Sequence, residues 1–239
     1  MAVENRFSDF VVYDHIEPCP YLPGRSARMP IRLPLSQVTP EECDMRLARG
    51  ERRSGRFVYQ TQCESCQACE PIRVRVADFL MNRSQRRIWK RGLQSIQVEY
   101  GPAVIDQQRI DLFNKHRNLR GLARNSEIDQ EGYESFLVES CFETFEMRYY
   151  FENSLIGVAI CDRARHSISA VYYYFDPDFA RLSPGVYSIL NQVQYCLEHR
   201  LQFLYLGFYV ADSLHMKYKQ SYRPHERLIG GQWQTFGLT

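Results

Sequence analysis

The sequence predicts an α/β (α+β) fold in two parts, a smaller cysteine-rich α+β region over residues 1–101 and a larger layered region over 102–239. Three observations predict it. The second half alternates strand-like and helix-like runs, three cysteines fall within seven residues of the first half, and Gly101-Pro102 is the strongest chain break between them. Positions 1–38, with prolines at 18, 20, 23, 30 and 34, read as irregular segments laid over a core. Thr39-Pro40-Glu41-Glu42 offers an N-cap hydroxyl, a proline at the first helical position and a capping-box glutamate, so a short helix should run to about 49 and stop at Gly50.

Phe57-Val58-Tyr59 and Ile72-Arg73-Val74-Arg75-Val76 have strand character, the second with strict alternation. A basic helix is expected over 83–91, ending at Gly92, and a strand over 96–100. Past the break come helices near 106–118 and 129–140. Strands follow near 146–151, 155–161 and 169–175, with Glu152-Asn153 a tight turn between the first two. A helix near 185–199 and a strand near 203–210 complete the pattern. Antiparallel strands first, then a crossover through a helix, make an acetyltransferase-like (GNAT-like) sandwich. A doubly wound sheet is disfavoured because no strand, glycine-rich turn and helix unit opens the region. Internal repeats and low-complexity tracts are absent from the 239 residues.

Thirty basic against 28 acidic residues give a formal charge of +2, but the balance is uneven. Between positions 46 and 91 lie twelve basic and four acidic residues, a local +8 that keeps a polyanionic partner in play. Hydrophobic content of 44% and charged content of 24% are globular values and exclude disordered, collagen-like and coiled-coil classes. No window is apolar enough to cross a membrane, and the acidic start lacks the apolar stretch of a signal peptide. Eight cysteines without a secretion signal then point to thiols or a metal site in the cytoplasm.

Cys63-Glu64-Ser65-Cys66-Gln67-Ala68-Cys69 is a C-x2-C-x2-C array whose sulfurs can converge on one ion at about 2.3 Å in a tetrahedral zinc site. Cys19, in the stiff Cys19-Pro20-Tyr21 segment, is the candidate fourth ligand. Zinc, an iron–sulfur cluster and an uncoordinated redox thiol group all remain open for this set. Cys43, Cys141, Cys161 and Cys196 lie in helix or strand patterns and read as core. Arg83, Arg86, Arg87, Lys90 and Arg91 fall on one helical stripe suited to phosphates, with Trp89 as a stacking surface. Leu182-Ser183-Pro184-Gly185 opens a helix whose amides suit an anion, while the lack of a G-x-G loop argues against coenzyme A. His215, Lys217, Lys219, His225 and Arg227 crowd the tail, with Asp212 and Glu226 the only acids after His199.

Cys19-Pro20-Tyr21-Leu22-Pro23, Arg52-Arg53-Ser54-Gly55, the C-x2-C-x2-C-x-P array through Pro71, and Met216-Lys217-Tyr218-Lys219 followed by Pro224-His225-Glu226-Arg227 occur in order over nearly the whole chain. Together they resemble the aminoacyl-tRNA–protein transferases, most closely their short bacterial leucyl subfamily. The resemblance implies transfer of leucine from leucyl-tRNA to proteins that begin with Asp or Glu, which marks them for N-degron degradation. It also implies an acetyltransferase-like fold that uses no coenzyme A. The eukaryotic arginyl branch carries a paired C-x-x-C near its start, where only Cys19 stands here.

This chemistry is attack of an α-amine, whose ordinary pKa is about 7.7–8.0, on an activated ester, so a weak base suffices and no cofactor is required. Asp212, His225 and Glu226 are the candidates to steer or accept the proton, and Tyr209 to assist the leaving oxygen. Lys217, Lys219 and Arg227 are candidates to pair with tRNA phosphate or with the substrate's acidic side chain, and Arg52, Arg53, Arg73 and Arg75 are second candidates for that acid. Cys19, Cys63, Cys66 and Cys69 are the candidate metal ligands. Two other readings stay open, a metal-stabilised RNA- or DNA-binding module and a thiol redox sensor. A moderately apolar pocket would select leucine, whereas arginine would demand an acidic partner.

Overall fold

Residues 7–123 and 127–237 are described by a computed structural model, so residues 1–6, read above for a targeting signal, lie outside it. In chain order the strands and helices are β1 (Asp9–Tyr13), β2 (Ile16–Pro18), β3 (Ser26–Arg28), β4 (Ile31–Pro34), α1 (Pro40–Ala48), β5 (Arg52–Ser54), β6 (Phe57–Tyr59), β7 (Glu70–Arg75), α2 (Arg83–Ser95) and β8 (Gln97–Pro102). After them come α3 (Gln107–Leu119), α4 (Gln130–Tyr133), β9 (Glu143–Phe151), β10 (Ser154–Arg163), β11 (Ser167–Phe175), α5 (Pro184–Glu198), β12 (Phe203–Tyr209), β13 (His225–Ile229) and β14 (Gln232–Phe236). One mixed sheet runs β14-β13-β7-β12-β11-β10-β9-β8, and a smaller one runs β1-β4-β6-β5.

The large sheet is a filled sandwich because its central strand is apolar on both faces. Leu155, Val158 and Ile160 of β10 meet α3 and the turn after α4 through Ile110, Phe113, Tyr133 and Leu137. Ile156, Ala159 and Cys161 point the other way, into the core with Tyr187, Leu190 and Val193 of α5 and Ile88 and Trp89 of α2. A bulge between Leu155 and Gly157 reconciles this spacing with the two-residue period of a strand. The β9–β10 turn has positive φ at both Glu152 and Asn153, as a two-residue hairpin requires. β11 and β12 pair in parallel, joined by the crossover through α5, and every other pair in this sheet is antiparallel.

Several expectations change. Among positions 7–38, four short strands stand in place of the expected irregular coil, with Pro18 and Pro34 closing strands. Gly101 and Pro102 are not a linker. They belong to β8, which pairs with β9 at the sheet edge, where a missing N–H is tolerated. β7 sits between β13 and β12, so the large sheet takes strands from both sides of residue 101. α2 does not end at Gly92 but continues to Ser95. A Cβ at Gly92 would lie 2.1 Å from the Tyr187 ring, so the glycine serves helix packing rather than termination. Trp89 is half-buried and faces Tyr187 at 5.4 Å, which removes it as an exposed stacking surface. By contrast α1 follows its signals, with Thr39 Oγ1 accepting from the Glu42 N–H at 3.2 Å and Gly50 at φ +85°.

Candidate active site

The parallel pair holds register only from Ser167–Phe203 to Ser169–Tyr205. Beyond those residues β12 turns away. Gly207 adopts φ +84°, and the pairing of β12 with β7 slips between Tyr205 and Phe208. A glycine within an apolar strand is the sequence mark of such a bend. Between the parted strands lies a pocket of about 470 Å³. Ser169, Ala170, Val171 and Tyr172 of β11 form one wall, and Leu206, Gly207 and Phe208 of β12 another. Arg52, Arg53, Ser54 and Tyr59 from the small sheet, with Tyr21, Met29, Ile31, Phe136, Met216 and Lys219, complete it.

No aspartate or glutamate lines this pocket, yet two cations do so without a carboxylate partner among the described residues. Arg52 is 5% exposed and donates to the carbonyls of Glu51 at 2.6 Å and Gly207 at 2.9 Å. Its Nε finds no partner, and burial pulls its pKa down to about 10. Lys219 is 7% exposed, with Nζ donating to the Phe208 carbonyl at 2.7 Å. Burial, and then the nearby Arg52 charge, lower its pKa to about 7. A buried cation without a counter-ion carries a desolvation penalty of several kcal/mol, which an incoming anion relieves. Arg53 differs from its neighbour, because its Nε meets both Asp162 oxygens at 2.9 Å and Thr144 braces that carboxylate at 2.7 Å.

The remaining expected site residues are dispersed. None of Tyr209, Asp212, His225 and Glu226 lines the pocket. Glu226 is buried and bound by Arg73 at 2.6 Å and Arg75 at 3.1 Å, so its charge is committed to two guanidinium groups and it lies outside the pocket lining. His225 is buried with Nδ1 3.1 Å from the Tyr222 carbonyl and its ring stacked on Phe236, and burial lowers its pKa. Tyr209 donates to Gln220 at 3.2 Å, and Asp212 is exposed. Arg73 is clamped between the Phe203 and Trp233 rings, and Arg227 lies on Phe236 and pairs with Glu70 at 2.9 Å. Arg75 is half-exposed, and Lys217 is exposed. The tail read as a crowded polar segment is instead a hairpin, β13–β14, that extends the sheet. Ser183 accepts the N–H groups of Val186 and Tyr187, so those two amides at the start of α5 are spent.

The segments that carry the four candidate cysteines lie side by side. The hairpin carrying Cys19 lies against the loop of Cys63, Cys66 and Cys69. The Arg28 N–H donates to Cys63 Sγ at 3.4 Å, and Arg25 donates to Cys66 Sγ at 3.7 Å. Burial, followed by neighbouring Cys19, Cys63 and Cys66, pushes the Cys69 thiol up to about 12. As the side chains stand, no group of three His, Cys, Asp or Glu residues among those described is arranged to hold an ion. Two residues on from Cys19, Tyr21 reaches the pocket wall and pairs with Tyr59, and burial raises the pKa of both phenols. Tyr21, Tyr59, Met29, Ile31, Phe136 and Met216 were not singled out as site residues from the sequence. Only the Leu206-Gly207-Phe208 run signalled that a bend was near.

Comparison with known proteins places this architecture. Residues 108–229 match the family model for the C terminus of arginine-tRNA-protein transferase, and residues 17–87 match the model for its N terminus. An aspartate/glutamate leucyltransferase of Acinetobacter baumannii (strain AYE) is 40% identical over 219 residues, covering 90% of this chain and 80% of that protein. One of Chromobacterium violaceum is 35% identical over 219 residues, covering 91% and 90%. The crystal structure of FemX aligns with 78% of this chain and 64% of its own at 10% identity and a TM-score of 0.48.

Proposed function

The chain is an aminoacyltransferase of the arginine-tRNA-protein transferase family, and from that premise we propose that it moves leucine from leucyl-tRNA to the α-amine of proteins beginning with Asp or Glu. One observation carries the choice of substrates. The pocket is lined by apolar side chains and two unpaired cations, with no carboxylate. An arginyl group would meet two like charges there, whereas a leucyl side chain meets Met29, Ile31, Phe136, Val171, Leu206 and Met216. The acidic side chain of the acceptor protein supplies the counter-ion that Arg52 and Lys219 lack, through charge-assisted hydrogen bonds.

In this reading the free α-amine attacks the ester carbonyl carbon, the C–N bond forms, and the bond to the terminal ribose oxygen breaks. The amine proton passes to that departing oxygen, with water as the relay. The developing oxyanion meets the one O–H donor that the Tyr21–Tyr59 pair leaves free, and both phenols stay protonated because burial raises their pKa. The acyl group lodges between parted parallel strands, which is the acetyltransferase-like element of the proposal. Because the donor is a charged tRNA, the cytoplasm is the proposed compartment, and no helix of the described residues is long and apolar enough to cross a membrane.

Cys19, Cys63, Cys66 and Cys69 are soft thiolate donors of the kind that zinc or an iron–sulfur cluster takes, and their side chains would have to turn toward one another to hold either as a brace behind Tyr21. The group would supply rigidity there, and the transfer needs none of its chemistry. Metal analysis of anaerobically purified protein, with colour as a first indication, distinguishes the two. The transfer itself is tested with labelled leucyl-tRNA and a model protein starting with Asp. Label in that protein, but not in an Ala-starting control and not from arginyl-tRNA, is the expected result. Equal transfer from arginyl-tRNA overturns the leucine assignment, and tRNA retention without transfer supports a binding module instead.

A further inference from the structure

The pocket accounts for a leucyl group and an acidic side chain, but not for the cations of α2. Arg83, Arg86, Arg87, Lys90 and Arg91 are all exposed and make no ion pair among the described residues. The opposite face of the helix is fixed to the body by Gln85, Trp89 and Gly92, so the stripe must point outward. From position 83 to 91 it spans about 12 Å of helix axis.

The N-terminal end of α2 is tied to the segment that carries Lys219. The Gln85 side-chain amide donates to the Ser221 carbonyl at 3.2 Å, and the Leu80 N–H donates to the Arg223 carbonyl at 3.1 Å. Lys217 and Arg223 of this segment are exposed, and no acidic residue occurs from Ser213 to His225. The exposed stripe is therefore continuous with the short turn whose other side presents Lys219 to the pocket.

We infer that α2 and the 217–223 segment form the docking surface for the double-helical acceptor arm of the donor tRNA, with its single-stranded 3′ end running past Lys217 into the pocket. The inference rests on the leucyl-transfer reading and adds the place and polarity of the RNA. Charge complementarity argues for it. A row of outward cations without ion-pair partners among the described residues matches a phosphate backbone, and binding there releases counter-ions. The rigid link through Gln85 keeps the docked backbone and the Lys219 side of the pocket in one frame, so docking positions the ester bond.

The test uses the full-length protein with Arg87→Glu and Lys90→Glu, two surface changes remote from the pocket. Two donors are compared, intact leucyl-tRNA and 3′-leucyl-adenosine, which lacks the arm. The double variant should lose at least tenfold in kcat/KM with leucyl-tRNA and keep its rate with the small donor. Binding of uncharged tRNA should weaken, with the slope of log affinity against log salt falling by about 1 for each lost contact. An equal loss with both donors, or an unchanged slope and affinity, overturns the docking surface. If wild type transfers from neither donor, the leucyl-transfer reading fails, while uncharged-tRNA binding still decides the surface.

Discussion

Two regions of this molecule bury cations, and they treat them in opposite ways. Arg73 lies between the Phe203 and Trp233 rings, 3.9 and 4.0 Å from their centroids, and holds Glu226 at 2.6 Å. Arg52 and Lys219 are comparably buried but hydrogen-bond only to backbone carbonyls and sulfur, with no carboxylate beside them among the described residues. Burial alone therefore does not distinguish the functional site. The missing counter-ion does, because a satisfied pair has nothing left to offer a substrate while an unpaired cation gains by binding one. Arg52 and Arg53 make the same contrast between adjacent residues, since only Arg53 has its carboxylate inside the fold.

The contrast breaks most sharply under mutation. Arg73→Met should lose up to about 3–5 kcal/mol of stability, because it leaves the buried Glu226 carboxylate with the half-exposed Arg75 in place of two guanidinium partners, as chemical denaturation would measure. Arg52→Gln should instead act on turnover. It should lower kcat/KM for an Asp-starting acceptor by an amount corresponding to about 2–5 kcal/mol, with a much smaller stability change than Arg73→Met. Equal stability losses for the two variants would erase the distinction. Gly92→Ala sharpens the account of α2. Its new Cβ meets the Tyr187 ring, and overpacking of about 1–3 kcal/mol should exceed the gain of about 1 kcal/mol in helix propensity, seen as a lower Tm.

The smallest expected effect is a pH dependence. Lys219, lowered to about 7, is charged below that pH and neutral above it. The KM for an acidic acceptor should therefore rise severalfold as pH increases from 6.5 toward 8.5, although deprotonation of the attacking amine favours kcat in the same direction. Lys219→Met should raise KM and flatten its pH profile. A wild-type profile already flat would remove Lys219 from the anion site.

The cysteine array was legible because C-x2-C-x2-C is a local pattern, whereas the approach of the hairpin that carries Cys19 to the array's loop is a tertiary contact. The order of helices and strands from α3 to β12 was legible for a similar reason, since hydrophobic period and turn residues act over a few positions. The proton-transfer candidates were chosen from a cluster of polar types in the tail. There the strand pairing of β13 with β7 puts Glu226 opposite Arg73, a contact spanning 153 positions that no local pattern encodes. Gly92 and Gly101-Pro102 were read as breaks for the same reason. A glycine that ends a helix and one that admits a tyrosine ring have the same sequence, and only the neighbouring element tells them apart.

By itself the sequence determined the element types from α3 to β12, the spacing of the cysteines, the cationic stripe and the resemblance to a transferase family. These depend on side-chain period, spacing and composition, which are properties of short stretches. Tertiary structure decided which cations are neutralised and which keep no carboxylate partner among the described residues. Counter-ions are supplied by strand register and by the parting of β11 from β12, so the charge of the pocket is set by contacts between residues far apart in the chain.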